Sequence, residues 1–350
     1  MTLPFSYKQR GFSLVELMVA LTIGLLVTLA IGSLFVTTRQ DYKQNDSTAK
    51  MQENARFALE LIASDLRHAG YFGSIPDPTG VNVDVMNPTA TTEDCGPKTT
   101  TNKPGLYNFT QTNLVMSFGN QIADAGSATF FGTCLEAADN VKPNSSVLII
   151  KRVDGKPTAP LLADDPSTTY NDKTTDNRKN GVPYVYSNGG EAFLYTHPST
   201  VALPIANGLH WEYQPRIYFI DTNNQLRRKM LSGLSLVSEP LADGIEAFHV
   251  EYGIDTMPDG SYDGVPAYFY TPAVNSSPDT ATVLNQAVSA TIFVLARTTD
   301  PDPDTKYKDD KSFQLGSTGP AIAAANDRFH RRVYSMTVML KNIRNQVMSR

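Results

Sequence analysis

The chain has 350 residues (38.3 kDa), with 30 Lys+Arg against 35 Asp+Glu and a formal net charge of −5. At 41% hydrophobic and 19% charged it can close a real core, which excludes a disordered polyampholyte. A pI near 5.6 argues against a general nucleic-acid binder, and two cysteines exclude a disulfide-dense scaffold or a Cys-rich zinc protein.

The charge is unevenly placed. Residues 1–11 carry +2 from Lys8 and Arg10, residues 12–36 hold only Glu16, and residues 37–70 balance five charges of each sign. Residues 71–325 sum to −11 and residues 326–350 to +5. From Phe12 to Val36 the sequence is apolar and free of proline. As a helix these 25 residues span about 37 Å, enough to cross a hydrocarbon core of about 30 Å. Lys8 and Arg10 precede the run, so the positive-inside bias leaves residues 1–10 in the cytoplasm and the body after Arg39 outside. A cleaved secretory signal needs a run of only about 7–15 residues and a small-x-small site behind it. This run is longer, and it contains a glutamate that costs energy in lipid unless it has a partner.

The stretch Lys8-Gln9-Arg10-Gly11 followed by Phe12-Ser13-Leu14-Val15-Glu16 resembles the class III signal of type IV pilins and type II secretion pseudopilins. The resemblance implies that a prepilin peptidase cuts between Gly11 and Phe12, that Phe12 is then N-methylated, and that Glu16 guides assembly. Residues 1–11 would be a leader and residues 12–36 a transmembrane and assembly helix. The physics of Glu16 agrees. The new amine on Phe12 lies one helical turn before it, and the helix dipole favours a carboxylate in the first turn by roughly 0.3–1 kcal/mol. In lipid that carboxylate can pair with the amine of a neighbouring subunit and set the axial register.

Beyond Gln40 the apolar residues Met51, Ala55, Ala58, Leu59, Ile62, Leu66 and Ala69 step by three and four, an amphipathic stripe that ends at Gly70. No proline stands between Pro4 and Pro76, so one helix of about 58 residues from Phe12 to Ala69 is expected, with residues 37–70 as its amphipathic half. Gly24 and Gly32 are its weak points. Many pilins carry a helix-breaking proline in this region, and this sequence does not.

After Gly70 the pattern turns to strands. Residues 147–150, 217–220 and 290–295 are short apolar runs. Phe248, Val250, Tyr252 and Ile254 alternate with His249, Glu251 and Gly253 as a half-buried strand, and Tyr334, Met336, Val338 and Leu340 alternate likewise. The fold expected is therefore α+β: a long N-terminal helix packed on an antiparallel β-sheet head over residues 71–350, read as one elaborated domain. The polar stretches 87–105, 164–181 and 298–311 read as long loops, of the kind that form binding surfaces or stay disordered. Cys95 and Cys134 fall outside the membrane, where oxidation is the rule, and are expected to pair; such a staple is worth roughly 2–4 kcal/mol.

Residues 239–246 with 252–255, 289–297 and 327–334 resemble the later part of PilW-type minor pilins. That resemblance implies a structural subunit that joins other minor pilins and the major pilin in a tip complex that primes the pilus, with a tip adhesin as a further partner. It would sit in the inner membrane, N-terminus in the cytoplasm and head in the periplasm, before entering the pilus. Two alternatives stay open: a type II secretion minor pseudopilin, which shares the signal but not the bulky head, and a membrane-anchored periplasmic enzyme or binding protein, which leaves Gly11 and Glu16 unexplained.

No catalytic motif appears: GxSxG, HExxH, GxxxxGK[ST] and a strand–GxGxxG–helix are all absent. The histidines at 68, 197, 210, 249 and 330 are scattered, without helical ligand spacing. Asp255, Asp259 and Asp263 fail the calcium-loop order, since Met257 and Pro266 fall where side-chain oxygens are needed, and read as a turn. The Asp-Pro repeat at 300–304 reads the same way. The basic run 328–332 is expected to pair with the acidic body rather than to bind nucleic acid. No enzyme activity, cofactor or metal is expected.

Overall fold

The computed structural model describes residues 11–75, 81–82, 115–118, 134–135, 137–143, 145–158, 178–197, 208–233, 235–256, 264–271, 283–284 and 286–343. Helix α1 runs unbroken over Leu14–Arg67, 54 residues or about 81 Å. Gly24 and Gly32 do not interrupt it, because nothing crowds the helix there and the i→i−4 ladder continues through them. Its C-terminus closes as expected. His68 is the C-cap, with its N–H turned back to Asp65 O (3.1 Å), and Gly70 takes the left-handed φ of +73° that lets the chain leave.

The strands are β1 (Val81–Asn82), β2 (Val115–Phe118), β3 (Val147–Ile150), β4 (Pro183–Ser187), β5 (Ala192–Thr196), β6 (Leu209–Glu212), β7 (Arg216–Ile220), β8 (Gln225–Ser232), β9 (Ser235–Asp243), β10 (Ile245–Ile254), β11 (Tyr268–Tyr270), β12 (Ala287–Arg297), β13 (Phe313–Gln314), β14 (Ala321–Ile322) and β15 (Arg331–Met339). They form a five-stranded sheet β2-β3-β7-β8-β9, a four-stranded sheet β1-β5-β4-β6, a second four-stranded sheet β11-β10-β12-β15 and the ribbon β13-β14. Among the described residues every strand pairing is antiparallel except β1 with β5.

The predicted stripe is the one buried. Met51, Ala55, Ala58, Leu59, Ile62, Leu66 and Ala69 enter a single core, joined by Ala63, which the predicted stripe did not include. There they meet Leu148, Tyr218 and Ile220 of the five-stranded sheet and Phe248, Val250, Ile292 and Val294 of the C-terminal sheet. Four alanines on this face let the helix backbone approach both sheets closely. The core thus joins the first quarter of the chain to its last third.

One expectation needs correction. Strand β10 is buried on both faces, not one: His249 and Glu251 are only 1% and 3% exposed. The turn at 315–319 covers them. Thr318 N–H (2.5 Å), Thr318 Oγ1 (3.0 Å) and Ser317 Oγ (3.2 Å) all donate to Glu251 Oε1, and a Cβ on Gly316 would stand 2.3 Å from the same oxygen. Alternation alone cannot reveal a cover supplied 65 residues later. The stretch 298–311 is a largely exposed loop, as expected, pinned where Thr298, Asp302 and Asp309 are buried. Stretch 87–105 and most of 164–181 lie outside the described residues.

Burial holds the His249 ring neutral, lowering its pKa from 6.5 to about 4. A depressed base contributes stability above its unfolded pKa, and that contribution is lost as pH falls from about 6.5 towards 4. The loss reaches about 3 kcal/mol. Thermal unfolding of wild type and His249→Gln, followed across pH 7 to 4, should show wild type losing stability faster in that window.

Candidate assembly helix and the charged seat that holds it

The exposed half of α1 carries the residues that the sequence singles out. Residues 11–43 are exposed without exception, and Leu14–Arg67 is the one described helix long and apolar enough to cross a membrane. Gly11, Phe12 and Ser13 precede the helix, so the Gly11–Phe12 bond lies in non-helical, accessible chain. Ser13 is the N-cap, with extended φ/ψ of −70°/145°, and its carbonyl accepts the first helical bond from Leu17 N–H at 3.1 Å. Glu16 stands alone in the first turn as its acidic residue, where the unpaired N–H groups favour a carboxylate. The hydroxyls of this half are internally satisfied: Thr22, Thr28, Ser33, Thr37 and Thr38 donate to carbonyls three or four residues back at 2.8–3.1 Å. A helix whose polar side chains turn inward onto its own backbone is compatible with an apolar surrounding.

The other half is seated by charge as well as by packing. Asp65 lies on the buried stripe, three residues after Ile62 and four before Ala69, with its side chain 7% exposed. Three arginines from the five-stranded sheet and its approach converge on it. Arg152 Nη2 lies 2.9 Å from Oδ1, Arg228 Nη1 3.6 Å and Arg216 Nε 3.7 Å from Oδ2. Tyr218 donates its hydroxyl to Oδ2 at 2.5 Å, and burial followed by the Asp65 charge raises its pKa well above the usual phenol value. Arg228 is also held by Glu239 on β9, from Nε at 2.8 Å and Nη2 at 2.5 Å. The helix register against the sheet is therefore fixed by one carboxylate. Sequence reasoning missed it, although an acid at helical spacing inside an apolar stripe was a signal.

A second charged lock ties the basic run 328–332 down. Arg331 is 3% exposed at its side chain and forks onto Asp327 (Nη1–Oδ1 and Nη2–Oδ2, both 2.6 Å). Its Nε reaches Glu246 on β10 at 2.6 Å, and Asp309 lies at 3.4 Å. The bond to Arg331 pulls the Asp327 pKa down. Arg328 donates to the Asp302 carbonyl, and Arg297 lies over the Phe329 ring at 4.4 Å. The run is spent on the acidic body, as its charge suggested, leaving only Arg332 exposed with its guanidinium 5.7 Å from the Tyr334 ring centre.

Cys134 is buried, and Lys229 on β8 fixes its neighbourhood by donating to the Cys134 carbonyl at 3.0 Å and pairing with Asp139. Cys95 lies outside the described residues. Asp255 accepts from Gly264 N–H at 2.7 Å, while Asp259 and Asp263 are outside the described residues. Among the described residues no three His, Cys, Asp or Glu are grouped to hold a metal ion. His210 stacks on Tyr186 at 4.4 Å and contacts the Tyr195 hydroxyl at 2.8 Å, a packed aromatic cluster rather than an open site.

Comparison with known proteins matches the two ends separately. Residues 217–342 match the model of the type IV pilus-assembly protein W family, and residues 6–32 match the prokaryotic N-terminal methylation motif. Among solved structures, a type IV-like pilin from Thermus thermophilus is 20% identical, covers 38% of this chain and 69% of its own, and superposes with a TM-score of 0.24. No curated protein matches.

The seat predicts an asymmetry between two ion pairs on one helix. Asp65→Asn leaves three buried guanidiniums short of a charge and should cost about 3–5 kcal/mol in denaturant unfolding of the detergent-solubilised chain. Arg56→Ala, which breaks the exposed Arg56–Glu60 pair, should change stability by less than about 0.5 kcal/mol.

Proposed function

We propose that this chain, a type IV pilin-like protein with a PilW-type segment, is a minor pilin that helps to start the filament from its tip. The PilW match and the methylation motif place it in pilus assembly and imply processing by a prepilin peptidase. One match is to a pilus-assembly family and the other to a processing motif, which supports a structural role.

One observation carries the reading: a single helix is exposed and apolar over residues 14–38 with Glu16 its only charge, and then becomes a core element of the head. Exposed leucine, isoleucine and valine side chains over that length are unfavourable in water at roughly 25 cal/mol per Å², so lipid or other helices must cover them. Both covers have a place here. The helix first anchors the subunit in the inner membrane, with the N-terminus cytoplasmic and the head periplasmic, and then joins a bundle of like helices in the pilus. Cleavage at Gly11–Phe12 creates the amine that is methylated on Phe12. Glu16 then pairs with the amine of a neighbouring subunit. The neighbours are other minor pilins and the major pilin, with a tip adhesin as a further partner. A head of this bulk suits a tip position better than the repeating body of a thin filament. A Cys95–Cys134 bond would close the 87–105 stretch onto the region that Lys229 already fixes.

Processing is tested by Gly11→Val, which should retain residues 1–11 in the membrane-bound form. Mass spectrometry that finds a normal mature N-terminus would sink this reading.

Assembly is tested by Glu16→Val, which should be cleaved and inserted normally but fall about tenfold or more in sheared pili relative to membranes. A wild-type ratio with normal piliation would make Glu16 a passenger.

A further inference from the structure

The sheets end in edges of very different kinds. Among their outer strands, β11 has three residues, β1 two, and β2 and β6 four each. Strand β9 has nine, but Pro240 stands in it and a bulge breaks its register with β8. Strand β15 also has nine and carries neither device. It has no proline, and its register against β12 runs unshifted from Ser289–Met339 to Arg297–Arg331. After Arg332 it carries no charge. Its hydrogen bonds show which side is open. Thr298 N–H donates to His330 O and Leu340 N–H to Val288 O, both at 2.9 Å, so the even-numbered residues between them bond to β12. The N–H and C=O groups of Val333, Ser335, Thr337 and Met339 therefore face outward, and none has a partner among the described residues.

The strand also has a direction. His330, just before it, lies 3.2 Å from Gln44 between their Nε2 atoms, and Asn342, just after it, reaches the carbonyls of Arg67 and Ala69. About 35 Å of helix and about 40 Å of strand thus run side by side in the same sense. Below Gln44 the same helix is exposed without exception, and it is there that subunits pack in the reading proposed above. The open edge continues that interface upward along the head.

We infer that β15 accepts an antiparallel strand donated by a different subunit of the same assembly, an extended, proline-free segment with apolar side chains at every second position. The inference rests on the pilus-assembly reading. The donated backbone closes the outward row of N–H and C=O groups. Its apolar side chains fall on the face of Tyr334 and Met336, which are only partly buried against the core. Its alternate side chains stand level with Ser335 and Thr337, which are exposed and uncharged. A second copy of this chain does not fit the edge. Two β15 strands paired antiparallel point their stalks in opposite directions, because each stalk runs along its own β15, and one bilayer cannot hold both with their heads on the same side.

The test compares Thr337→Pro with Thr337→Ala in the full chain. The proline removes one outward donor and leaves the ladder to β12 whole, whereas the alanine keeps the donor. Both variants should be cleaved and inserted like wild type. The proline variant should fall about tenfold in sheared pili relative to membranes, and the alanine variant should not fall. Hydrogen exchange resolved to single amides guards against a proline that merely unfolds the strand. In wild type, the amides of Ser335, Thr337 and Met339 should exchange at least about tenfold more slowly in sheared pili than in the detergent-solubilised chain. Equal exchange of those amides in both states overturns the inference, and so does a proline variant recruited like wild type. Cross-linking of a Ser335→Cys variant to another copy of itself overturns it too, by putting a second copy on the edge. Wild type absent from sheared pili overturns the assembly reading and this inference with it; wild type present with an unresponsive edge overturns this inference alone.

Discussion

One helix has to satisfy two solvents, and the rest of the molecule follows from that constraint. Residues 12–36 suit an apolar surrounding, whereas residues 51–69 complete a water-soluble core. A rigid helix cannot be adjusted separately at its two ends. The register and rotation chosen by the head are transmitted directly to Glu16 and the apolar run. The Asp65 seat makes this choice unique. Apolar packing on a stripe of alanines is permissive and tolerates sliding, while a carboxylate between Arg152, Arg216 and Arg228 tolerates little.

The two sheets that grip the helix do so differently. The five-stranded sheet supplies the arginines and Tyr218, so it contributes direction. The C-terminal sheet supplies mainly branched and aromatic side chains from β10 and β12, so it contributes area. The Arg331 lock then joins Glu246 at the start of β10 to Asp327 and Asp309, closing the outer edge of the same sheet. Both locks surround one group with several of opposite sign, an arrangement in which removing the central group is costlier than removing any one neighbour.

Much of this was legible in the sequence, for identifiable reasons. The helix is written in two periodicities that need no tertiary information, and Gly70 marks its end. The runs at 147–150, 217–220 and 290–295 are apolar enough to be strands in any context. The Gly11–Glu16 cluster stands out because a charge in an apolar run is expensive. Asp65 was overlooked because its partners sit 87 to 163 residues away and carry no local pattern. His249 and Glu251 looked solvent-facing because strand alternation reports only the nearer layer, and their cover arrives with residues 315–319. The 298–311 stretch reads as a loop from its composition and is one, but composition could not show that Asp302 and Asp309 within it are buried by partners further along the chain.

The closing contact of the core comes from near the other end of the chain. Asn342 donates its side-chain amide to the carbonyls of Arg67 and Ala69 at 3.3 and 3.2 Å, beside Leu340 and Ile343 in the core. The helix is made first, but its principal partners β12 and β15 are made last. During synthesis, the stripe from Met51 to Ala69 must therefore wait, uncovered, for more than 200 residues of chain to follow. A high-contact-order closure of this kind is slow, and it leaves an amphipathic helix beside a membrane with nothing yet to bury it. The bilayer surface is the natural shelter for that face in the interval. Folding of the head is then a contest between sheet and lipid for one stripe of alanines and leucines, decided only when the C-terminal strands arrive.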